Sequence, residues 1–156
     1  MTLADLNRRL LAEGANPDNY ALGTRSYNGF CLLRQGRQWN VFFSERGDDQ
    51  KPIFTSRNEY TACRFFFDFV MKMEHRHLVG FLRSEPAARA LQARLAAAGI
   101  AAHHFAVPYA ENDDRHGLNV IGKDIFRTRA LLGKVPVEDG DDGRPGFWRR
   151  LWRRWG

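Results

Sequence analysis

The chain has 156 residues, 44% of them apolar and 13% aromatic, which suffices for one compact domain or two small halves sharing a core. No apolar run approaches the ~20 residues that cross a bilayer, and the start MTLADLNRRLLAEG has no apolar signal core, so a cytoplasmic protein is expected and a helical membrane protein is excluded. Of the net charge of +6, residues 1–134 contribute 19 basic against 14 acidic side chains; these are scattered, without the dense Lys/Arg stripe and interleaved aromatics that argue for nucleic acid.

Leu3, Leu6, Leu10 and Leu11 repeat at helical spacing behind a cap at Thr2, and Gly14 followed by Asn16-Pro17 stops the run, predicting a helix over 3–13. A brief strand is expected at 20–22. Residues 29–33 and 39–44 then form a hairpin through Arg34-Gln35-Gly36-Arg37, with Gly36 supplying a positive φ. Trp39, Val41 and Phe43 fall on one face and Phe42 on the other, so both faces need cover. Residues 45–49 read as a polar loop, and 52–55 as a short edge strand kept from a central position by Pro52.

Ser56-Arg57-Asn58-Glu59 fits a capping box, with the Ser hydroxyl and Glu carboxylate as its two acceptors. Behind it Tyr60, Cys63, Phe67 and Val70 make one helical stripe with Phe66, Phe69 and Met73 beside it. Consecutive Phe65, Phe66 and Phe67 span about 200° of a helix, so it is expected to be covered on more than one side.

In the second half, 77–82 reads as a strand and Ser84 caps a helix with Glu85 and Pro86 in its first turn. Residues 87–98 continue that helix with Leu91 and Leu95 inward, and Gly99 ends it. A strand over 100–107 is expected to lie parallel to the first through a right-handed crossover. A loop over 108–117, a strand over 118–121 and a helix over 124–132 follow. The fold class is therefore α+β: an αβββα half, about 1–74, followed by a βαββα half, about 75–134, with an antiparallel or mixed sheet covered by the aromatic helix.

Residues 135–146 combine Pro, Gly and acidic residues and read as a flexible acidic linker. Over 147–156, Trp148, Trp152 and Trp155 share one helical face, while Arg149, Arg150, Arg153 and Arg154 populate the rest. That pattern suits a partner surface or an anionic membrane surface.

Candidate chemistry is sparse. Cys31 and Cys63 lack metal spacing and sit among apolar neighbours, as buried free thiols do. His75 and His77 would share a strand face, and His103 and His104 are adjacent, but no Cys or carboxylate stands at a ligand spacing from them; structural histidines, and no metal, are the default. No nucleophile elbow is present, and GLNVIG over 117–122 has neither dinucleotide nor phosphate-loop spacing, which two turn glycines explain. The acidic loops are better candidates. Glu45, Arg46, Asp48 and Asp49 follow one strand and Glu111, Asp113 and Asp114 another, and on one edge they would form an acidic patch able to steer a basic partner.

The leucine run ending at Gly14, then Tyr20, then Trp39-Asn40-Val41-Phe42-Phe43-Ser44-Glu45-Arg46-Gly47, then Phe54 and Ser56 followed by Ala62-Cys63 and Phe65-Phe66, resembles the small bacterial immunity proteins of polymorphic-toxin and contact-dependent growth inhibition systems. The resemblance covers about residues 3–80 and rests on core and turn positions. It implies a cytoplasmic protein without catalysis, cofactor or small-molecule substrate, which neutralises a cognate toxin domain by binding it. Immunity proteins facing basic nucleases tend to be acidic. The basic fold here implies either a different toxin activity or contact confined to the acidic loops. The competing expectation is a peripheral adaptor that holds anionic membrane or nucleic acid through the Trp/Arg tail.

Overall fold

The computed structural model describes residues 1–139. Its first helix, α1 (Leu3–Ala12), starts where the sequence places it. Thr2 Oγ1 accepts the Asp5 N–H at 3.2 Å, and the Asp5 carboxylate accepts the Thr2 N–H at 3.0 Å. These Thr2 bonds, with the Arg8 guanidinium beside them, hold the Asp5 carboxyl down at about 2.

A 3-10 turn, Pro17–Asn19, leads into β1 (Tyr20–Leu22), which runs parallel to β2 (Asn28–Gln35). β2 and β3 (Gln38–Glu45) form an antiparallel hairpin closed by Gly36 at φ +62° and Arg37; its strands run further than the predicted 29–33 and 39–44. β4 (Asp48–Asp49) and β5 (Phe54–Ser56) both pair with β3, one at each end. The edge strand thus begins two residues after Pro52, because a residue without an N–H cannot serve the ladder.

The aromatic helix, α2 (Glu59–Val70), corrects two expectations. Asn58, not Ser56, is the cap: its Oδ1 accepts the Thr61 N–H at 3.0 Å. Ser56 Oγ instead accepts the Asn58 N–H at 3.0 Å, and Glu59 Oε1 accepts the Leu3 N–H at 3.0 Å, so neither member of the expected box reaches the other's backbone. The buried stripe is Ala62, Cys63, Phe66 and Val70, while Tyr60 remains 53% exposed.

The three consecutive phenylalanines serve three neighbourhoods. Phe66 is fully buried with the Tyr20 ring edge-on at 6.2 Å. Phe65 stacks on Phe54 at 4.1 Å, and Phe69 meets Phe30 edge-on at 4.8 Å. Phe67 lies under the Arg9 guanidinium at 4.8 Å. Leu6, Leu10, Leu32, Trp39 and Val41 complete this core, and Phe42 on the opposite face of β3 is also buried.

Two compact units make up the described chain: Met1–His77 with Ile121–Arg127, and Leu78–Val120 with the residues from Thr128 onward. The elements of the second sheet are β6 (Arg76–Leu82), α3 (Glu85–Ala97), β7 (His103–Ala110), β8 (Asp113–Ile121), α4 (Asp124–Leu132) and β9 (Val137–Glu138). Their spatial order is β7-β8-β6-β9. Element and strand order are those of a split βαβ arrangement, from which β9 departs by running parallel to β6.

Two expectations for this half are revised. The second strand starts at His103, not at 100, because Ile100 completes the end of α3: its N–H donates to Leu95 O at 2.9 Å and its side chain is buried. β8 lies between β7 and β6 in the sheet. The expected loop over 108–117 is the tip of a hairpin, turned at Glu111 and Asn112, where Asn112 takes φ +61°. Within the predicted linker, β9 pairs with Gly80 and Phe81, and the Asp139 carboxylate accepts the Arg83 N–H. The rest of that linker, from residue 140, lies outside the described residues.

Both cysteines are fully buried and free. Burial pushes both thiols up, Cys63 to about 11 with the Glu59 carboxylate adding to the effect. A thiol reagent added to the folded protein should therefore modify both at rates at least ~100-fold below those in denaturant. Rapid modification of either in the folded protein would contradict this burial.

Candidate functional site

The first candidate surface is built at the far end of the β2–β3 hairpin. β3 ends at Glu45, and Arg46 and Gly47 adopt φ +53° and +89°, the pair of left-handed conformations that a tight two-residue hairpin turn requires. Ser44 pairs with Asp49 and Glu45 with Asp48, so residues 45–49 form a second hairpin, not the loop expected from composition. The turn is fastened laterally: Gly47 N–H donates to Tyr27 O at 3.0 Å, and Gln50 N–H to Phe43 O at 2.9 Å.

That fastening places Tyr27 beside the acidic turn with 58% of its surface exposed. Glu45, Arg46, Asp48 and Asp49 are all exposed on that turn and the strand ends it joins. Arg25 Nε donates to Asp49 Oδ2 at 2.8 Å, and Gln50 Nε2 to Glu45 Oε2 at 3.4 Å. Glu45 and Asp48 form no ion pair among the described residues, so their charge faces solvent. Tyr27 is the member sequence reasoning missed. Its one signal is a large aromatic inside the polar stretch that precedes β2.

The second acidic set sits on the other unit. Glu111 and Asp114 are exposed at the β7–β8 tip. Asp113 is committed internally: its carboxylate takes two hydrogen bonds from Arg115, at 2.9 and 3.1 Å, and the same guanidinium lies 4.5 Å above the Tyr109 ring. Asp113 therefore orders the hairpin and offers little free charge.

The histidines divide by environment. Asn16 N–H donates to His75 Nδ1 at 3.1 Å, which leaves the His75 proton on Nε2 to donate to Val70 O at 3.0 Å. His77 Nε2 donates to Gly14 O at 2.8 Å. Both rings are buried and bound to backbone. His104 Nε2 lies 3.1 Å from His116 Nδ1 with the rings stacked, and partial desolvation, then Arg89 and His116, lower the His104 pKa.

Among the described residues no three His, Cys, Asp or Glu side chains gather as a metal site. Nor, among the described residues, is a Ser or Cys side chain seen hydrogen-bonded to a histidine. Ser44 and both thiols are buried in the first unit, and the Ser56 hydroxyl belongs to the entry of α2. No described helix is long and apolar enough to cross a membrane. Trp148, Arg149, Arg150, Trp152, Arg153, Arg154 and Trp155 lie outside the described residues. What the described surface offers chemically is recognition: an exposed tyrosine whose backbone is bound to an acidic hairpin turn. No family model, curated protein or solved structure matches this chain.

Proposed function

We propose that this chain is an immunity protein that binds and neutralises a cognate bacterial toxin domain in the cytoplasm, without catalysis of its own. The observation that carries the reading is Tyr27, 58% exposed, whose backbone carbonyl is bound by Gly47 of the turn that carries the exposed Glu45, Asp48 and Asp49. Tyrosine anchors carry a large share of binding energy in protein interfaces, and surrounding carboxylates select and steer a basic surface. The acidic turn also reconciles a basic fold with a basic partner, since contact can be confined to this end of the sheet. The immunity-protein resemblance of residues 3–80 supplies the class of partner.

The test is co-purification from the native host at moderate salt, followed by assay of the partner's toxic activity with and without this chain. A stoichiometric complex with a toxin domain whose activity it suppresses supports the reading. Within such a complex, Tyr27→Ala should weaken binding about 30-fold, the value of an anchor worth ~2 kcal/mol. Asp48→Ala should act chiefly on the association rate and lose its effect at high salt. Binding unchanged by both substitutions would move the interface elsewhere on the molecule. Removal of residues 140–156 separates this reading from the adaptor, because only the adaptor loses its function with the Trp/Arg segment.

A further inference from the structure

The sheet edges among the described residues are unequal. β1, β4, β5 and β9 have three, two, three and two residues, whereas β7 has eight. Proteins blunt exposed edges by shortness, charge or proline. The β7 sequence, HHFAVPYA, holds no Lys, Arg, Asp or Glu, and its blunting features, Pro108 and the register shift between Pro108 and Ala110, both lie outside residues 103–107. Pro108 pairs with Asp114 in the β7–β8 ladder, and a strand proline turns its missing donor away from the ladder it joins. By the alternation of an antiparallel pair, the amides of His104 and Ala106 face the same outer side.

We propose that β7 is a self-association surface, pairing antiparallel with β7 of a second copy of this chain across a twofold axis at Phe105. In that register Ala106 stands opposite the second copy's His104, and by symmetry His104 opposite its Ala106, which gives four backbone N–H···O bonds. Pro108 falls opposite Ala102. Pro108 has no donor, and the Ala102 carbonyl is already taken by Gln92 Nε2 at 2.8 Å, so the two positions that cannot exchange bonds meet each other.

Charge does not decide against this arrangement, and Arg89 near the entry to β7 is already paired with Glu85. The acidic tips, with Glu111 and Asp114 exposed, go to opposite ends of the paired strands. Each meets the other copy's entry to β7, where Arg89 is held over Gln92 at 3.1 Å and beside Glu85 at 3.2 Å. The uncharged segment 103–107 brings no like charges face to face. This surface is on the second unit and is independent of the Tyr27 surface.

Sedimentation of the full chain over a concentration series tests the proposal. The wild type should show a reversible monomer–dimer equilibrium. Ala106→Pro removes two of the four donors in the dimer while leaving the β8 ladder intact, so it should be monomeric, with a melting curve that matches the wild type at concentrations where the wild type is itself monomeric. Ala106→Asp, which sets two carboxylates on one face of the joined sheet, should raise the dissociation constant at least 10-fold at low salt and less at high salt. A wild type that stays monomeric up to about 1 mM overturns the proposal. So does a dimer indifferent to both substitutions.

Discussion

Phe66→Ala should cost about 3–5 kcal/mol, the usual loss for a large aromatic removed from a core that cannot close behind it. Phe66 is fully buried, lies edge-on to Tyr20, and shares a cluster with Leu6 and Leu10 from α1 and with Leu32 and Val41 from the sheet. Truncation therefore removes the side chain at which helix–helix and helix–sheet packing meet. Against a total stability of about 5–15 kcal/mol, that loss takes a large share of the folded population's margin. The internal control is Tyr60→Ala, on the same helix with the ring 53% exposed, which should cost under ~1 kcal/mol. Denaturant midpoints for the two variants decide the matter. Equal losses would mean that the helix presents the face the spacing first suggested, with Tyr60 inward.

That comparison shows where helical periodicity runs out. With phenylalanine at 65, 66, 67 and 69, apolar residues occupy most of the circumference, so period alone fixes the existence of the helix and leaves its rotation open. The rotation is set by small residues: Ala62 and Cys63 permit close approach at the stripe's centre, and both are fully buried. Helix ends were legible where one local solution existed, as at Thr2 and Ser84, whose hydroxyls accept the Asp5 and Ala87 N–H groups. They were misread where two caps competed. Ser56 and Asn58 can each cap, and the choice fell to Asn58 because Ser56 already ends β5 while Glu59 is drawn to the Leu3 amide. Ile100 was misread for a related reason, since an apolar residue after a helix-ending glycine can start a strand or pack back on the helix.

The candidate surface was legible as charge and illegible as shape. Composition marked residues 45, 46, 48, 49, 111, 113 and 114, but not that Asp49 and Asp113 already hold arginines. Nor could it show that an Arg46-Gly47 turn, without the usual Asn or Asp before glycine, closes a hairpin tight enough to reach Tyr27. No local pattern specifies that Tyr27 is 58% exposed beside this turn.

Gly14→Ala should be the most damaging single-methyl addition in the first unit, costing roughly 2–4 kcal/mol from a left-handed backbone plus overpacking. Gly14 follows the cap of α1 at φ +77°, its N–H on Leu11 O at 3.1 Å and the next N–H, of Ala15, on Leu10 O at 2.9 Å, the paired bonds of a Schellman ending. A methyl there would lie 2.6 Å from the Gly122 carbonyl carbon and 2.7 Å from the Lys123 nitrogen, and both of those are backbone atoms that cannot swing aside. The segment it would push is fastened by Gly122 N–H to His75 O at 2.8 Å and by Lys123 Nζ to Glu13 at 2.7 Å. Gly36→Ala provides the comparison, because its φ of +62° carries a similar conformational cost with nothing within 4 Å of the new methyl. The Gly14 variant should therefore melt well below the Gly36 variant, and equal melting points would refute the close approach. Since the Gly47 and Gln50 bonds that fasten the Tyr27 turn are separate from those at this contact, Gly14→Ala held below its melting point should, under the immunity proposal, still bind the proposed partner with wild-type affinity. Loss of affinity in step with stability would instead place the binding surface on the α1 end of the unit.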